Sequence, residues 1–241
     1  MKLIFAAAIF LLSVMTFRTI AASVVKQGSQ AVAGGIVING HALSPGATLD
    51  TGVLKQERRV LPDFCQIDIR NFAGKIHIKF GQENIVFISA DSSVVPLIKT
   101  KVEGDVLKIG VKKNISTLRP VKLDVQVKSI SSISVDGAAE VMIEDIRNVE
   151  NFNIDVSGAA SVAAQGNIEK ITAVISEAGK LQCEKLFSEE AFVSVSGSGR
   201  ATVNAGKKLT AKAFGAGHVV YAGHPVVISE TTGAGRVDAA E

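Results

Sequence analysis

The phrase Val195-Ser196-Gly197-Ser198-Gly199-Arg200-Ala201 occurs, with small variations, six times between residues 133 and 237. Successive copies are separated by intervals of 18 to 21 residues. A period near twenty residues is typical of solenoids, in which stacked coils bury one continuous core. The copies occupy residues 135–141, 156–162, 175–181, 195–201, 213–219 and 231–237.

Each copy places a small-residue corner between two short alternating segments. Apolar residues precede the corner by two and four positions and follow it by four and six. This predicts a strand, a tight corner, a second strand and a looser return such as Gln165-Gly166-Asn167. Positive φ, or close approach of successive corners, explains the glycines. The predicted structural corner residues are Gly137, Gly158, Gly179, Gly197, Gly199, Gly215, Gly217, Gly233 and Gly235.

The repeat favours an all-β parallel β-helix, a β-solenoid with coils of about 18–21 residues in the C-terminal half. A β-sandwich is the alternative, but a sandwich does not require the same corner six times. Ser229 and Thr231 replace apolar residues in the last copy, which indicates a terminal coil with less to bury. Residues 60–129 also alternate in short segments, but without the clean corner.

Composition excludes several classes of protein. Of the 241 residues, 47% are hydrophobic and 20% charged, which is typical of a chain with a large core. The chain has no Trp and one Tyr, so the core must consist mainly of aliphatic residues. A net charge of +3 without interleaved aromatic and basic residues predicts no nucleic-acid partner. No cofactor motif occurs, and the oligomeric state stays open.

The N-terminus resembles an export signal. Lys2 precedes an apolar run over residues 3–17, and small residues follow near Ala21 and Ala22. We expect a signal peptide at 1–22, with an uncleaved anchor as the alternative, and no stable transmembrane segment after cleavage. Export predicts the periplasm, the outer surface or the medium. Residues 23–59 are predicted to be a linker or flexible N-terminal segment before a folded domain at 60–241. Within residues 23–52 we expect at most one strand, at the short apolar run 36–38.

Two cysteines remain in the mature chain. Cys65 and Cys183 share the alternation of apolar neighbours, so both are predicted to be inward-facing small hydrophobic residues. An oxidising compartment would permit a disulfide. The repeat does not guarantee the geometry that such a bond needs, so free thiols are favoured.

The sequence resembles the bacterial exported proteins described as putative autotransporter adhesins with a head GIN domain. The resemblance covers approximately residues 60–237. It rests on the entry segment 64–70, the runs 85–91 and 106–110, the repeated corners, and Val220-Tyr221-Ala222-Gly223-His224-Pro225. It implies a right-handed β-helical fold and a place in the envelope or outside the cell, and it brings no catalytic residues. The sequence departs from the family pattern at Asp136, Glu177 and Phe214.

The residue that follows each corner changes from copy to copy. If coils stack at about 4.8 Å, these side chains form one outward ladder. Its cationic part could bind an anionic polysaccharide or another envelope component, with Arg offering bidentate contacts. The alternative is a solvated face that carries charge for solubility. The ladder consists of Glu140, Ser161, Lys180, Arg200, His218 and Arg236, of which Lys180, Arg200, His218 and Arg236 are the predicted binding residues.

Catalytic chemistry has weaker support in the sequence. Calcium binding and glycosidic catalysis both use clustered carboxylates, but no acidic loop with metal-binding spacing occurs. Ser198 lies in one copy of the corner, and other copies carry Ala there, so it is not a nucleophile elbow. The prediction is a non-catalytic envelope or surface interaction module. The alternative is a polysaccharide lyase or glycosidase, which would need carboxylates and basic groups to converge in one groove. The acidic candidates are Asp136, Glu140, Glu144, Asp145 and Asp155.

Overall fold

The computed structural model describes residues 36–38, 41–43, 52–112 and 120–240. Within these ranges the regular elements are β-strands, apart from one 3₁₀ turn at Val95–Leu97. No helix in these ranges has the length and apolarity that crossing a bilayer requires. The strands are β1 Ile36–Ile38, β2 His41–Leu43, β3 Leu54–Val60, β4 Gln66–Phe80, β5 Ile85–Asp91, β6 Ile98–Glu103, β7 Val106–Val111, β8 Lys122–Val127, β9 Ser132–Ile146, β10 Asn151–Gly158, β11 Ser161–Ile175, β12 Lys180–Val195, β13 Arg200–Gly215, β14 His218–Ala222, β15 Val226–Gly233 and β16 Arg236–Ala239.

An antiparallel hairpin, β1 with β2, forms the described part of the N-terminal unit. The expectation of at most one strand between residues 23 and 52 is therefore wrong. Along the chain only Asn39 and Gly40 separate the two strands, and Asn-Gly is the dipeptide that most favours a two-residue hairpin connection. The predicted signal peptide at 1–22 and most of the predicted linker lie outside the described residues.

Parallel pairing in register builds the C-terminal half. Ile154 of β10 lies beside Ile133 of β9 on one side and Ala173 of β11 on the other. The pairing continues through β12, β13 and β14 to β16, while β15 pairs with the second half of β13. This is the stacked-coil arrangement of a parallel β-solenoid, as predicted. It rules out a sandwich of hairpins, which would pair neighbouring segments antiparallel.

The returns between coils are more regular than the sequence suggests. Strands β11, β12 and β13 are 15 or 16 residues long and run through the segments predicted to be loose. Gly166, for example, lies in β11 and pairs with Leu186 of β12. Backbone pairing with the adjacent coil holds these bends as strand, with local register shifts as at Ala163/Gln165.

A coil that the repeat did not reveal begins the stack. Strand β4 pairs in parallel with β9 along most of its length, although residues 81–131 separate them in sequence. On its other side β4 pairs with β7 and β8. Strands β3, β5 and β6 then add antiparallel pairs at that end. The sheet therefore starts at Leu54, upstream of residue 60, where the alternating pattern begins.

The core is mainly aliphatic, although Phe64, Phe72 and Phe152 are also buried, and its side chains become smaller along the stack. Buried columns such as Ile133, Ile154 and Ala173 face the interior, and the same column ends at Ser229, which is exposed. Ser229 and Thr231 lie in a terminal coil that no further coil covers within the described chain. Both cysteines are free thiols, Cys183 buried and Cys65 half-buried.

Candidate binding surface

The backbone of the corners forms a continuous hydrogen-bonded ladder. Gly197 has a φ of +73°, and a Cβ there would lie 2.7 Å from the carbonyl oxygen of residue 177. Each corner instead donates an N–H to the corner below, as Ser198 N–H does to that carbonyl at 2.7 Å. The two reasons for glycine that the sequence indicates at the corners, a positive φ and the close approach of successive corners, therefore both apply to Gly197. The same stacking places Gly137, Gly158, Gly215 and Gly233 in one column.

Glu177 occupies this column in place of glycine. Its φ is +56°, in the left-handed region that side chains with a Cβ disfavour. Its carbonyl still accepts the N–H of the next corner, and the register of the neighbouring strands is unbroken. The stack therefore imposes the corner conformation on a residue that does not favour it.

The residues that follow the corners form one column across the coils. Lys180 pairs with Ser161 on one side and with Arg200 on the other. His218 follows Arg200, and Arg236 follows His218. Lys180, Arg200 and Arg236 are exposed, and His218 is half-buried. The structure thus brings together all four residues that the sequence named as binding candidates, and we call this column the ladder.

The ladder is longer than the six-copy repeat indicates. Glu140 lies beside Lys75 of β4, and Lys75 lies beside Lys122 of β8. Neither lysine follows a recognisable corner phrase, because β4 turns at Asn71-Phe72-Ala73 and β8 is half a coil. We call the end of the stack at β8 the covered end and the end at β16 the open end. From the covered end to the open end, the ladder consists of Lys122, Lys75, Glu140, Ser161, Lys180, Arg200, His218 and Arg236.

Charges along the ladder are compensated only in part. Lys75 Nζ lies 3.0 Å from Glu140 Oε2, and His218 Nε2 lies 2.8 Å from Asp238 Oδ2. Lys180, Arg200 and Arg236 have no carboxylate partner within ion-pair distance among the described residues. The open-end half of the ladder therefore presents three uncompensated cations.

A groove of about 590 Å³ lies beside the covered-end half of the ladder. His77 lies at its side: Nε2 is 3.0 Å from Glu144 Oε2 without forming a hydrogen bond, and Nδ1 is 3.6 Å from Asp124 Oδ1. Small residues, Ala159 and Ala163, leave the space open next to these larger side chains. Carboxylates and basic groups thus do converge in one groove, which is the feature that the enzyme alternative required.

The carboxylates of this groove are already neighbours of cations. Glu140 pairs with Lys75, while Glu144 lies near both His77 and Lys79. The other acidic candidates lie elsewhere: Asp145 pairs with Arg147, Asp136 accepts a hydrogen bond from Ser157, and Asp155 lies on the strand face before the corner. In the described parts of the chain, no group of three or more His, Cys, Asp or Glu side chains is arranged to hold a metal ion.

Ser198 does not form a nucleophile elbow. Its hydroxyl donates a hydrogen bond to the Glu177 carbonyl oxygen at 3.2 Å, as a corner residue facing the coil below. Among the residues that the structure describes, no histidine or carboxylate side chain forms a hydrogen bond with this hydroxyl. The hydroxyl thus supports the corner rather than a catalytic pair.

Comparisons with known proteins agree with the fold and the sequence pattern. The family described as "Putative auto-transporter adhesin, head GIN domain" matches residues 63–225. A solved putative adhesin from Bacteroides fragilis is 19% identical with a TM-score of 0.62, covering 80% of this chain and 100% of its own. A second, from Parabacteroides merdae, is 17% identical with a TM-score of 0.51, covering 81% and 99%. Among curated proteins none matches.

Proposed function

The chain belongs to the family described as "Putative auto-transporter adhesin, head GIN domain", and from this premise we propose that it is an exported, non-catalytic interaction module of the cell envelope or surface. The ladder is its binding surface, and an anionic polysaccharide is the ligand class that fits it. One observation carries this proposal: Lys180, Arg200 and Arg236 stack in register without carboxylate partners among the described residues.

The spacing of the ladder suits a polymer with repeated negative charge. Lys180, Arg200, His218 and Arg236 occupy four successive coils, so their backbones span about 14 Å at the usual strand spacing. Arg200 and Arg236 offer planar, bidentate donors to carboxylates or sulfates, and Lys180 adds a point charge. A polyanion lying along the stack would meet each cation in turn.

Binding of this kind depends on charge rather than on sugar stacking. The chain has no Trp, and its single Tyr, Tyr221, is half-buried. Aromatic platforms, the usual means of gripping a neutral sugar ring, are therefore scarce. Affinity should fall as salt screens the ladder.

Charge reversal tests the proposal directly. The variant K180E/R200E/R236E should bind polygalacturonate much more weakly than the wild type, while neutral dextran should bind neither protein. A matched control, K170E/K185E/K208E, makes the same change in net charge at exposed lysines of the coil returns. The control should retain most of the wild-type affinity.

Two outcomes contradict the ladder as the binding surface. Either the triple ladder variant binds polygalacturonate as tightly as the wild type, or the control loses as much affinity as the ladder variant. Circular dichroism and thermal unfolding of all three proteins separate a loss of binding from a loss of fold.

A second candidate, cleavage of an acidic polysaccharide, rests on the groove around His77. His77 lies within ion-pair distance of both Asp124 and Glu144, and Lys75 and Glu140 line the same groove. Incubation with polygalacturonate should release new reducing ends or unsaturated products if this candidate is correct. Equal product from wild type and H77A/E144Q, or no product from either, sets the groove aside as a catalytic site.

A further inference from the structure

A second basic surface lies on the strand face before the corners, at the covered end of the stack. It is a groove of about 950 Å³ where β6, β7 and β4 run side by side. Its lining contains six cationic side chains against two carboxylates, Asp68 and Glu103. The ladder lies on the strands after the corners, so the two surfaces share no residue. The cations are Arg59, Arg70, Lys99, Lys101, Lys108 and Lys112.

Gly110 forms a gap between two of these cations. It pairs with Lys99 of β6 on one side and with Arg70 of β4 on the other. A Cβ at Gly110 would lie 2.9 Å from the Arg70 carbonyl oxygen, so close packing of the strands requires glycine here. The outward face of this row consequently has a long cation at each end and no side chain between them.

The flanking cations retain free donors. Arg70 uses Nε to pair with Asp68 at 2.9 Å, which leaves its two terminal nitrogens available. Lys99 and Lys112 have no carboxylate partner in the part of the chain that the structure describes. Lys112 is held at the rim because its backbone N–H donates to the Leu97 carbonyl oxygen at 3.0 Å.

The next row of the same face remains positive as well. Lys101 and Lys108 lie opposite each other, and both pair with Glu103. These two lysines lower the pKa of Glu103 to about 2, so this carboxylate stays ionised at physiological pH. One negative charge thus compensates two positive ones.

Arg59 differs from the other five cations because its guanidinium donates hydrogen bonds to uncharged groups on β6. Its guanidinium donates to the Ile98 carbonyl oxygen at 2.8 Å and to Thr100 Oγ1 at 2.9 Å, and it pairs with Glu57 at 2.7 Å. It ties β3 to β6 and so fixes one wall of the groove.

We propose that this groove binds a phosphate group, seated over Gly110 between Lys99 and Arg70. A compact, doubly charged oxyanion matches a groove that has two uncompensated lysines and a net positive charge better than a single carboxylate does. The free Arg70 nitrogens supply the bidentate contact that phosphate favours, and the lysines supply point charges. The phosphate is a terminal monoester, carried either by a soluble molecule or by a lipid headgroup such as that of phosphatidic acid, since both present the same three oxygens.

Amide chemical-shift titration of the mature chain with inorganic phosphate, at constant ionic strength, tests the site. We expect saturable shifts centred on Lys99, Gly110 and Arg70, and none along the ladder. The variant K99Q/K112Q removes two charges without breaking an ion pair and should weaken binding about tenfold. K170Q/K185Q, a matched loss of two exposed lysines at the coil returns, should bind phosphate like the wild type.

A third variant gives a change of opposite sign. E103Q frees Lys101 and Lys108, so phosphate affinity should rise. Absence of saturable shifts at the groove, or equal affinity in K99Q/K112Q and wild type, overturns the proposal. The ladder variant K180E/R200E/R236E should retain phosphate binding, which keeps a failure here separate from a failure of the ladder.

Vesicles identify the source of the phosphate. Binding to phosphatidic acid vesicles that inorganic phosphate competes away, with no binding to phosphatidylcholine, supports a lipid headgroup. Phosphate binding without vesicle binding supports a soluble ester. Vesicle binding without any phosphate shift at Gly110 contradicts the site.

Discussion

Lys75 and Glu140 face each other on adjacent coils, with Nζ 3.0 Å from Oε2, although residues 81–131 separate their strands along the chain. The pair shows that β4 belongs to the coil that stacks directly against the coil of β9. It also shows that Glu140 is the anion that interrupts an otherwise basic or neutral column between Lys75 and Lys180.

Glu140→Lys should strengthen polyanion binding and leave the fold intact. Both partners are more than half exposed, at 57% and 64%, so losing the ion pair should change the free energy of unfolding by no more than about 0.5 kcal/mol. The substitution would extend the basic column towards Lys75. Denaturant unfolding and polygalacturonate binding measure the two effects. Unchanged or weaker binding by a fully folded variant would show that the column does not act as a unit.

Glu177→Gly should stabilise the protein by about 1 kcal/mol, since a non-glycine residue in the left-handed region is strained. The midpoint of denaturant unfolding measures this change. Glu177→Ala is the matched control, because it removes the same side chain but keeps the Cβ that causes the strain. If alanine stabilises as much as glycine, side-chain charge rather than backbone conformation is responsible.

Ile154→Ala and Ser229→Ala test how burial changes along one inward column. Ile154 is 2% exposed, so its truncation should cost about 2–5 kcal/mol. Ser229 faces the open end, and its truncation should stay within about 0.5 kcal/mol. Urea unfolding of both variants provides the comparison. Similar costs at the two positions would mean that another segment or molecule covers the terminal coil in solution.

The two thiols should differ in reactivity. Burial raises the pKa of the Cys183 thiol, so this thiol stays protonated and unreactive even at mildly alkaline pH. Cys65 is only half-buried, so a reagent can reach it. In the native protein a thiol reagent should therefore label Cys65 first, and Cys183 should react only on unfolding. Mass spectrometry after graded denaturation follows both sites. Failure of either thiol to react in the unfolded, unreduced protein would indicate a disulfide.

The sequence revealed those parts of the fold in which each coil repeats its own chemistry. The six corners could be predicted from the sequence, because small residues meet the same requirement for a tight backbone turn in almost every copy. The ladder is readable because coil stacking turns equivalent positions into spatial neighbours. Even Glu177 keeps its place, since the flanking strands fix the register.

The coil that contains β4 could not be predicted from the sequence, because its corner has different residues from the six repeated corners. Asn71 takes the positive φ there, at +51°, and Phe72 lies where other coils have glycine. The inserted strands then break the period. The sequence repeat therefore did not identify Lys75 and Lys122 as members of the ladder, and the strand register of the structure does.

The groove over Gly110 lay beyond sequence reasoning for a different reason. Lys99, Gly110 and Arg70 come from three strands, and antiparallel and parallel pairing together align them. No short motif encodes that alignment. Only the register of all three strands places the cations around one gap.

The salt dependence of polygalacturonate binding, measured for wild type and K180E/R200E/R236E, tests the central claim most directly. Ladder binding predicts that wild-type affinity falls steeply as salt rises, because the mobile ions screen exposed cations. The triple variant should bind weakly at every salt concentration, with little further loss. Equal affinity and equal salt dependence in the two proteins would contradict the account.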